Sequence, residues 1–294
     1  MRYRELVKKY PKFIYKNYSY KIAGNGLEIA FGFLIPGRKN ISFSPKITIK
    51  NINIRSLPQI DILDNLIFNL GLVEMISYWK ATCSPIIEVR AGALSKEQIA
   101  WFKDLVINGM GEFFYKNRID FRSSGFIKII AKNNKFPARN VYKNKLKNEV
   151  IIPVSGGKDS IITLELLKNK NATCFSLNST AEAKKTISAS GIKKQIVVER
   201  KIDKKLLELN QKGFLNGHTP FSAYLAFLSI LTAAIFNKKY IAFSNENSAN
   251  EGSVKYLGKT INHQYSKTFD FEKKFINYSK KYLAKDVKYF SFLR

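Results

Sequence analysis

Six residues constrain this chain more than any others: Ser155-Gly156-Gly157-Lys158-Asp159-Ser160, set between the apolar run Val150–Val154 and a stretch of helical spacing. An apolar run followed by paired glycines and then helical periodicity predicts a buried strand turning sharply into a helix. Such a turn aims several backbone N–H groups at one point, beside the positive end of the helix dipole, and so favours an anion. The side chains extend that logic. Ser155 and Ser160 can donate hydroxyls, Lys158 adds a point charge, and Asp159 can help hold magnesium. A bare corner would use the glycines but neither the serines nor the acid. The spacing matches neither the Walker A loop nor the GxGxxG dinucleotide fingerprint.

Downstream of this loop the chain alternates. Apparent strands at 150–154, 173–177, 195–199 and 240–244 are separated by helical patterns at 160–169, 180–190, 203–211 and 220–236. Strands separated by helices imply crossover connections and a parallel sheet, the α/β class. Thr219 as N-cap with Pro220 at the first helical position marks one helix start. The segment from Pro220 to Phe236 is apolar nearly all round, yet falls short of the ~20 residues needed to cross a bilayer. It leads directly into another apolar run, so a buried helix followed by a buried strand is expected.

Upstream the texture differs. Residues 1 to about 55 alternate apolar and polar, predicting strands with turns at Pro36-Gly37 and Ser44-Pro45. From Asp64 the pattern is helical, a short strand follows over 84–92, and Ser95 with Gln98 fits a capping box at the next helix. The segment 119–147 is polar and poorly periodic, and reads as a hairpin or linker. These shifts divide the chain into a smaller α+β N-terminal domain, 1–148, and a nucleotide-binding α/β domain, 149–294. The last residues, "KKYLAKDVKYFSFLR", break off in an apolar, half-periodic run. The second domain is therefore expected to be incomplete at its C-terminus.

The net charge is +28, which would attract phosphate-rich partners. The lysines are dispersed in pairs along the whole chain, so no nucleic-acid surface is expected. Two cysteines, Cys83 and Cys174, are far apart and form neither a disulfide framework nor a CxxC site. The first residues carry charge without an apolar stretch, so no secretory signal is read there. A cytoplasmic protein without membrane attachment is the expectation.

The SGGKDS loop resembles the pyrophosphate-binding loop of the PP-loop ATPases, the adenine nucleotide alpha hydrolase-like group. That resemblance implies a parallel sheet with ATP across the strand C-termini, cleaved between its α and β phosphates. It would also place Leu177-Asn178 near the adenosine, so Asn178 joins Ser155–Ser160 as nucleotide-binding. Two further stretches, Leu70–Phe121 and Phe243–Glu272, resemble the UDP-N-acetyl-α-D-muramoyl-L-alanyl-L-glutamate epimerase family. That likeness implies inversion of the terminal L-Glu of a peptidoglycan precursor, UDP-MurNAc-L-Ala-L-Glu, with ATP and magnesium. Family members continue beyond the point matching Arg294, so a downstream polypeptide completing the fold is a further expected partner.

Epimerisation needs a base on one face of the α-carbon and an acid on the other. His263 in "NHQYSK" has a ring suited to proton transfer near neutrality, and Cys83 in "WKATCSP" could oppose it. The plain alternative for each is a structural role: a hydrogen-bonding ring and a small buried apolar residue. Lys267 is a candidate catalytic cation for a carboxylate or phosphate, or else a solvated surface lysine. Asn245, Glu246, Asn247 and Asn250 follow the last strand, where such sheets bind ligands. Glu246 is a second magnesium ligand or a base, and the asparagines are candidates for substrate. Arg90 in "EVRAG" could bind a dipeptide carboxylate, or form a surface ion pair. His218, just before a helix start, could approach phosphate or serve as a cap. Two other functions stay open from sequence: a tRNA-modifying PP-loop ATPase, and a non-catalytic nucleotide-binding remnant or half of a split enzyme.

Overall fold

The computed structural model describes residues 3–133 and 141–294. A short helix, α1 (Tyr3–Lys9), which the sequence pattern did not reveal, leads into β1 (Lys12–Ala23) and β2 (Gly26–Ile35), an antiparallel hairpin. Alternation puts Leu27, Ile29, Phe31, Phe33 and Ile35 of β2 in the core, as period two requires. β3 (Ile41–Phe43) and β4 (Lys46–Ile49) follow through the two expected turns. Next come α2 (Ile60–Glu74), α3 (Ile76–Trp79), β5 (Ile86–Leu94), α4 (Lys96–Gly109), α5 (Gly111–Lys116) and β6 (Lys128–Asn133). The capping box at α4 is formed: Gln98 N donates to Ser95 Oγ at 3.2 Å, and Ser95 N donates to Gln98 Oε1 at 3.1 Å.

Within the polar stretch expected as a hairpin or linker, β6 is instead a strand running parallel to β5. Phe126, Ile127 and Ile129 are buried there, and the surrounding lysines hid their contribution. The part of that stretch from 134 to 140 lies outside the described residues.

The second half is regular: β7 (Lys147–Pro153), α6 (Lys158–Leu167), β8 (Ala172–Leu177), α7 (Ala181–Ser190), β9 (Gln195–Lys201), α8 (Lys204–Gln211), α9 (Phe221–Ile235) and β10 (Lys238–Glu246). A small hairpin, β11 (Val254–Tyr256) and β12 (Lys259–Ile261), precedes α10 (Phe269–Tyr282) and β13 (Lys288–Leu293). The final apolar run is thus an edge strand parallel to β10. Arg294 at its end pairs with the Glu272 carboxylate and donates to the Lys267 carbonyl. One detail at α9 departs from expectation. Pro220, at φ −72° and ψ 67°, occupies the N-cap itself, with no side-chain cap from Thr219.

All main strands join one sheet in the order β13-β10-β7-β8-β9-β4-β2-β1-β5-β6, with β3 paired to β2. β13, β10, β7, β8 and β9 are mutually parallel, whereas β4 meets β9 antiparallel, Lys46 opposite Lys201. The boundary at 148/149 therefore does not separate two sheets. β7 shows why its run reads as continuous apolarity: Ile151 faces the large core, while Val150 and Ile152 face a smaller cluster under α6 and α7. α9 is buried along nearly its whole length and packs against α2 and β10, which accounts for its apolar character on all sides. Among the described residues no helix is long and apolar enough to cross a membrane.

An ion pair ties the halves together. The Arg200 guanidinium of β9 donates to the Glu74 carboxylate of α2, Nε–Oε2 2.9 Å and Nη2–Oε1 3.1 Å, and to Ser77 Oγ at 3.0 Å. Its other side lies 4.6 Å from the centre of the Tyr224 ring on α9. Glu74 is fully buried. Burial pushes its carboxyl up, and Arg200 pulls it back.

Candidate active site

From β7 the chain winds outward through β8 and β9, then returns to add β10 and β13 on the other side. Between β7 and β10 the winding direction reverses. In open α/β sheets, ligands bind outside the carboxyl ends of the strands at such a switch point. A cavity of about 240 Å³ lies there. Its lining includes the polar Ser155, Gly157, Asp159, Ser160 and Thr180 and the apolar Phe175, Leu177, Phe221, Leu225 and Phe243.

Most of that polar lining comes from the loop. Val154 N donates to Phe175 O at 2.8 Å, fixing where β7 ends. Gly156 then turns at φ +86°, and a Cβ on it would lie 2.7 Å from Glu182 Cβ and 2.8 Å from Ala183 N. The loop can pass the start of α7 only as glycine. Gly157 is the N-cap of α6 and supplies no capping side chain. A Cβ there would meet nothing nearer than the Ser155 hydroxyl at 3.8 Å, so the space over the helix start is open. Ser160 Oγ donates to Gly157 O at 2.8 Å and braces the turn. Gly156→Ala is expected to cost roughly 1–3 kcal/mol of stability through backbone strain and to weaken binding of inorganic pyrophosphate. Calorimetry and titration read the two effects, and a variant as stable as the parent would show that the close approach is not binding.

Charge is concentrated at the mouth. Lys158 Nζ sits 2.7 Å from Asp159 Oδ1 and 3.4 Å from Glu246 Oε2, bridging the loop to the end of β10. Asp159 first, and then Glu246, raise the Lys158 ammonium above its ordinary value. Glu246 Oε1 also accepts from Ser248 Oγ at 2.9 Å. Among the described residues no group of three or more His, Cys, Asp or Glu is placed to hold a metal. Two carboxylates, Asp159 and Glu246, held by one lysine beside the start of α6 nevertheless suit magnesium, which commonly takes one or two carboxylates and completes its shell with phosphate oxygens and water.

Asn245 and Lys267 line the cavity, and Asn245 donates from Nδ2 to Ser291 Oγ at 3.0 Å. Asn247 and Asn250 are occupied otherwise. Asn250 Nδ2 donates to Asn247 O at 2.9 Å, while its Oδ1 accepts from Phe269 N at 2.8 Å, bracing the turn before α10. Asn178 ties its side chain to the backbone of Arg200, accepting from N at 2.7 Å and donating to O at 2.9 Å. Its neighbour Leu177 faces the cavity instead.

Neither His263 nor His218 lines the cavity; Nδ1 of His263 lies against Ser253 Oγ at 2.5 Å. Cys83 is fully buried in the core, where desolvation pushes its thiol well up. A thiol so placed meets no substrate, so the structure does not bring Cys83 to the site. Arg90 is no nearer: it stands on β5, among the strands at the opposite end of the sheet, paired with Glu88, Nε–Oε1 2.7 Å. The walls that sequence reasoning missed, Phe175, Phe221 and Phe243, come from separate elements and carry no motif.

Sheet, switch point and glycine turn together define an α/β protein with a large, mostly parallel mixed sheet and a candidate ligand site at the strand ends. Residues 4–292 match the family model of the MurL N-terminal domain, and the chain belongs to that family. It is 28% identical over 227 residues to a UDP-N-acetyl-alpha-D-muramoyl-L-alanyl-L-glutamate epimerase of Xanthomonas oryzae pv. oryzae, covering 76% of this chain and 49% of that protein. It is 31% identical over 205 residues to a protein of the same name from a Micromonospora species, covering 69% and 45%. The chain thus spans about half the length of these curated relatives. No solved structure matches.

Proposed function

We propose that this chain carries the ATP-cleaving part of an ATP- and magnesium-dependent epimerase, of the PP-loop type, that converts the terminal L-Glu of UDP-MurNAc-L-Ala-L-Glu to D-Glu. The observation that supports it most is the open cradle over α6 at the switch point, in a chain whose relatives are named as epimerases of that dipeptide.

The chemistry explains why an epimerase would use ATP. The α-proton of glutamate is barely acidic beside a carboxylate, because its removal stacks charge on an anion. Attack of a carboxylate oxygen on the α-phosphorus breaks the bond to pyrophosphate and leaves an acyl adenylate. That group can accept the electron pair as an enolate. Ser155, Gly157, Ser160 and the start of α6 would hold the departing pyrophosphate, with Lys158 offsetting its charge. Magnesium, when bound by Asp159 and Glu246, would neutralise phosphate charge. Phe175, Leu177, Leu225 and Phe243 form an apolar slot for the adenine. Lys267 and Asn245, at the cavity wall, would hold the substrate acyl group. Proton removal and return at the α-carbon follow, and water then frees the carboxylate from AMP.

Incubation with UDP-MurNAc-L-Ala-L-Glu, ATP and magnesium, alone and with a polypeptide matching the remainder of the relatives, tests this directly. AMP formation together with D-Glu on chiral analysis of the hydrolysed product is expected. No D-Glu in either mixture would sink the reading.

A further inference from the structure

The chain has two histidines, and the charge of each acts on one carboxyl group, that of Glu112, lowering it. Glu112 sits in α5 between two tight contacts. A Cβ on Gly111, just before it, would lie 2.9 Å from Ile261 Cγ2, two residues ahead of His263. A Cβ on Gly217 would lie 3.2 Å from the Phe113 ring, just after it, and His218 is the next residue. These contacts lock the start of α5, the approach to α9 and the segment after β12 against one another. His218 Nδ1 stands 3.8 Å from Glu112 Oε2, with the imidazole still 35% exposed.

Short stretches of chain connect the cluster to the cavity. Phe221 and Ser222, a few residues beyond His218, line its wall, as does Lys267 beyond His263. We propose that His218 and His263 are the base and the acid on opposite faces of the glutamate α-carbon, with Glu112 between them returning the proton. This rests on the epimerase reading above. His218 Nε2 takes the α-proton of the L-configured acyl adenylate, and the C–H electron pair passes into the acyl carbonyl as an enolate. The carbonyl re-forms as its electron pair takes a proton delivered by His263 at the other face, giving the D configuration. Each turnover leaves the proton on His218, and transfer by way of Glu112 to His263 restores the start. Nδ1 of His218 faces Glu112 and Nδ1 of His263 faces Ser253, which leaves Nε2 of each ring for substrate.

The electrostatics suit a base at His218. Burial holds its imidazole below the ordinary 6.5, against the pull of Glu112, while His263, Lys116 and Lys80 add to the depression. Near neutral pH it is therefore unprotonated and able to accept. Glu112 itself is held below its ordinary range, first by its hydrogen bond from Lys116.

The experiment separates adenylation from proton transfer, using His218→Gln and His263→Gln in deuterium oxide. Substrate-dependent ATP–pyrophosphate exchange reports the cradle and should persist in both variants. Full epimerisation should fall about 10²–10⁴-fold in each. The α-deuterium exchange should then split: His218→Gln loses exchange from the L-Glu substrate but keeps it from the D-Glu epimer, and His263→Gln does the reverse. Equal exchange from both epimers in both variants would overturn the assignment. Loss of pyrophosphate exchange in the variants would place the histidines at the nucleotide and overturn it too. No pyrophosphate exchange in the parent, either alone or with the polypeptide matching the remainder of the relatives, would overturn the epimerase reading itself.

Discussion

Asp159→Asn is expected to lower substrate-dependent AMP formation by about 10³-fold, the scale lost when one preorganised charge at a transition state is removed, while the circular dichroism spectrum is unchanged. The side chain makes this a clean substitution. Its carboxylate pairs with Lys158 at the solvent-facing mouth, and its main-chain oxygen, which accepts from Thr163 Oγ1 at 3.0 Å, is untouched. Asparagine keeps the shape and loses the charge. A residue serving only as an acid in the first turn of α6 would contribute a few tenths of a kcal/mol through the helix dipole and would leave turnover within a few-fold of the parent. That second outcome would remove Asp159 from the metal-holding role.

The other large effect is on stability. Glu74→Ala should destabilise the fold by about 3–5 kcal/mol, because it leaves the Arg200 guanidinium buried without its counter-charge. At this chain length that corresponds to a fall in Tm of roughly 5–15 °C. Arg200 cannot turn to water, since Tyr224 covers one face and Ser77 holds Nη2. Replacing both partners, Glu74→Leu with Arg200→Met, should recover most of the loss, since apolar groups of similar volume carry no desolvation cost. A single variant that melts within a degree or two of the parent would mean the pair contributes little.

The place of the glycine turn in the fold was legible because its residues are contiguous. Ser155 to Ser160 occupy one turn, so residue types alone pointed to an anion cradle, and their position after Val150–Val154 placed it at a strand end. The α/β alternation was equally readable, since strands buried on both faces, such as β7, leave unbroken apolar runs. Composition hid other parts. β6 is flanked by lysines and asparagines, and its short apolar alternation sank into that background. Sites assembled across the fold left no trace at all. Glu74 and Arg200 meet only through packing of α2 on β9, and nothing about the residues around Glu112 announces that His218 stands beside it. Cys83 shows the converse error: a reactive residue type in a family-like stretch, but folded into the core where its thiol stays protonated.

The antiparallel seam between β4 and β9 has a consequence for how this protein is made. During synthesis β4 leaves the ribosome long before β9, and until the chain has grown past Lys201 the outer edge of β4 has no native partner. Unpaired edges recruit other strands, and contacts between distant segments form late. The vulnerable species is therefore the nascent chain stalled before β9. Fast translation through residues 50–200, or a chaperone resting on Lys46–Ile49, would protect the yield of folded protein without altering the finished molecule.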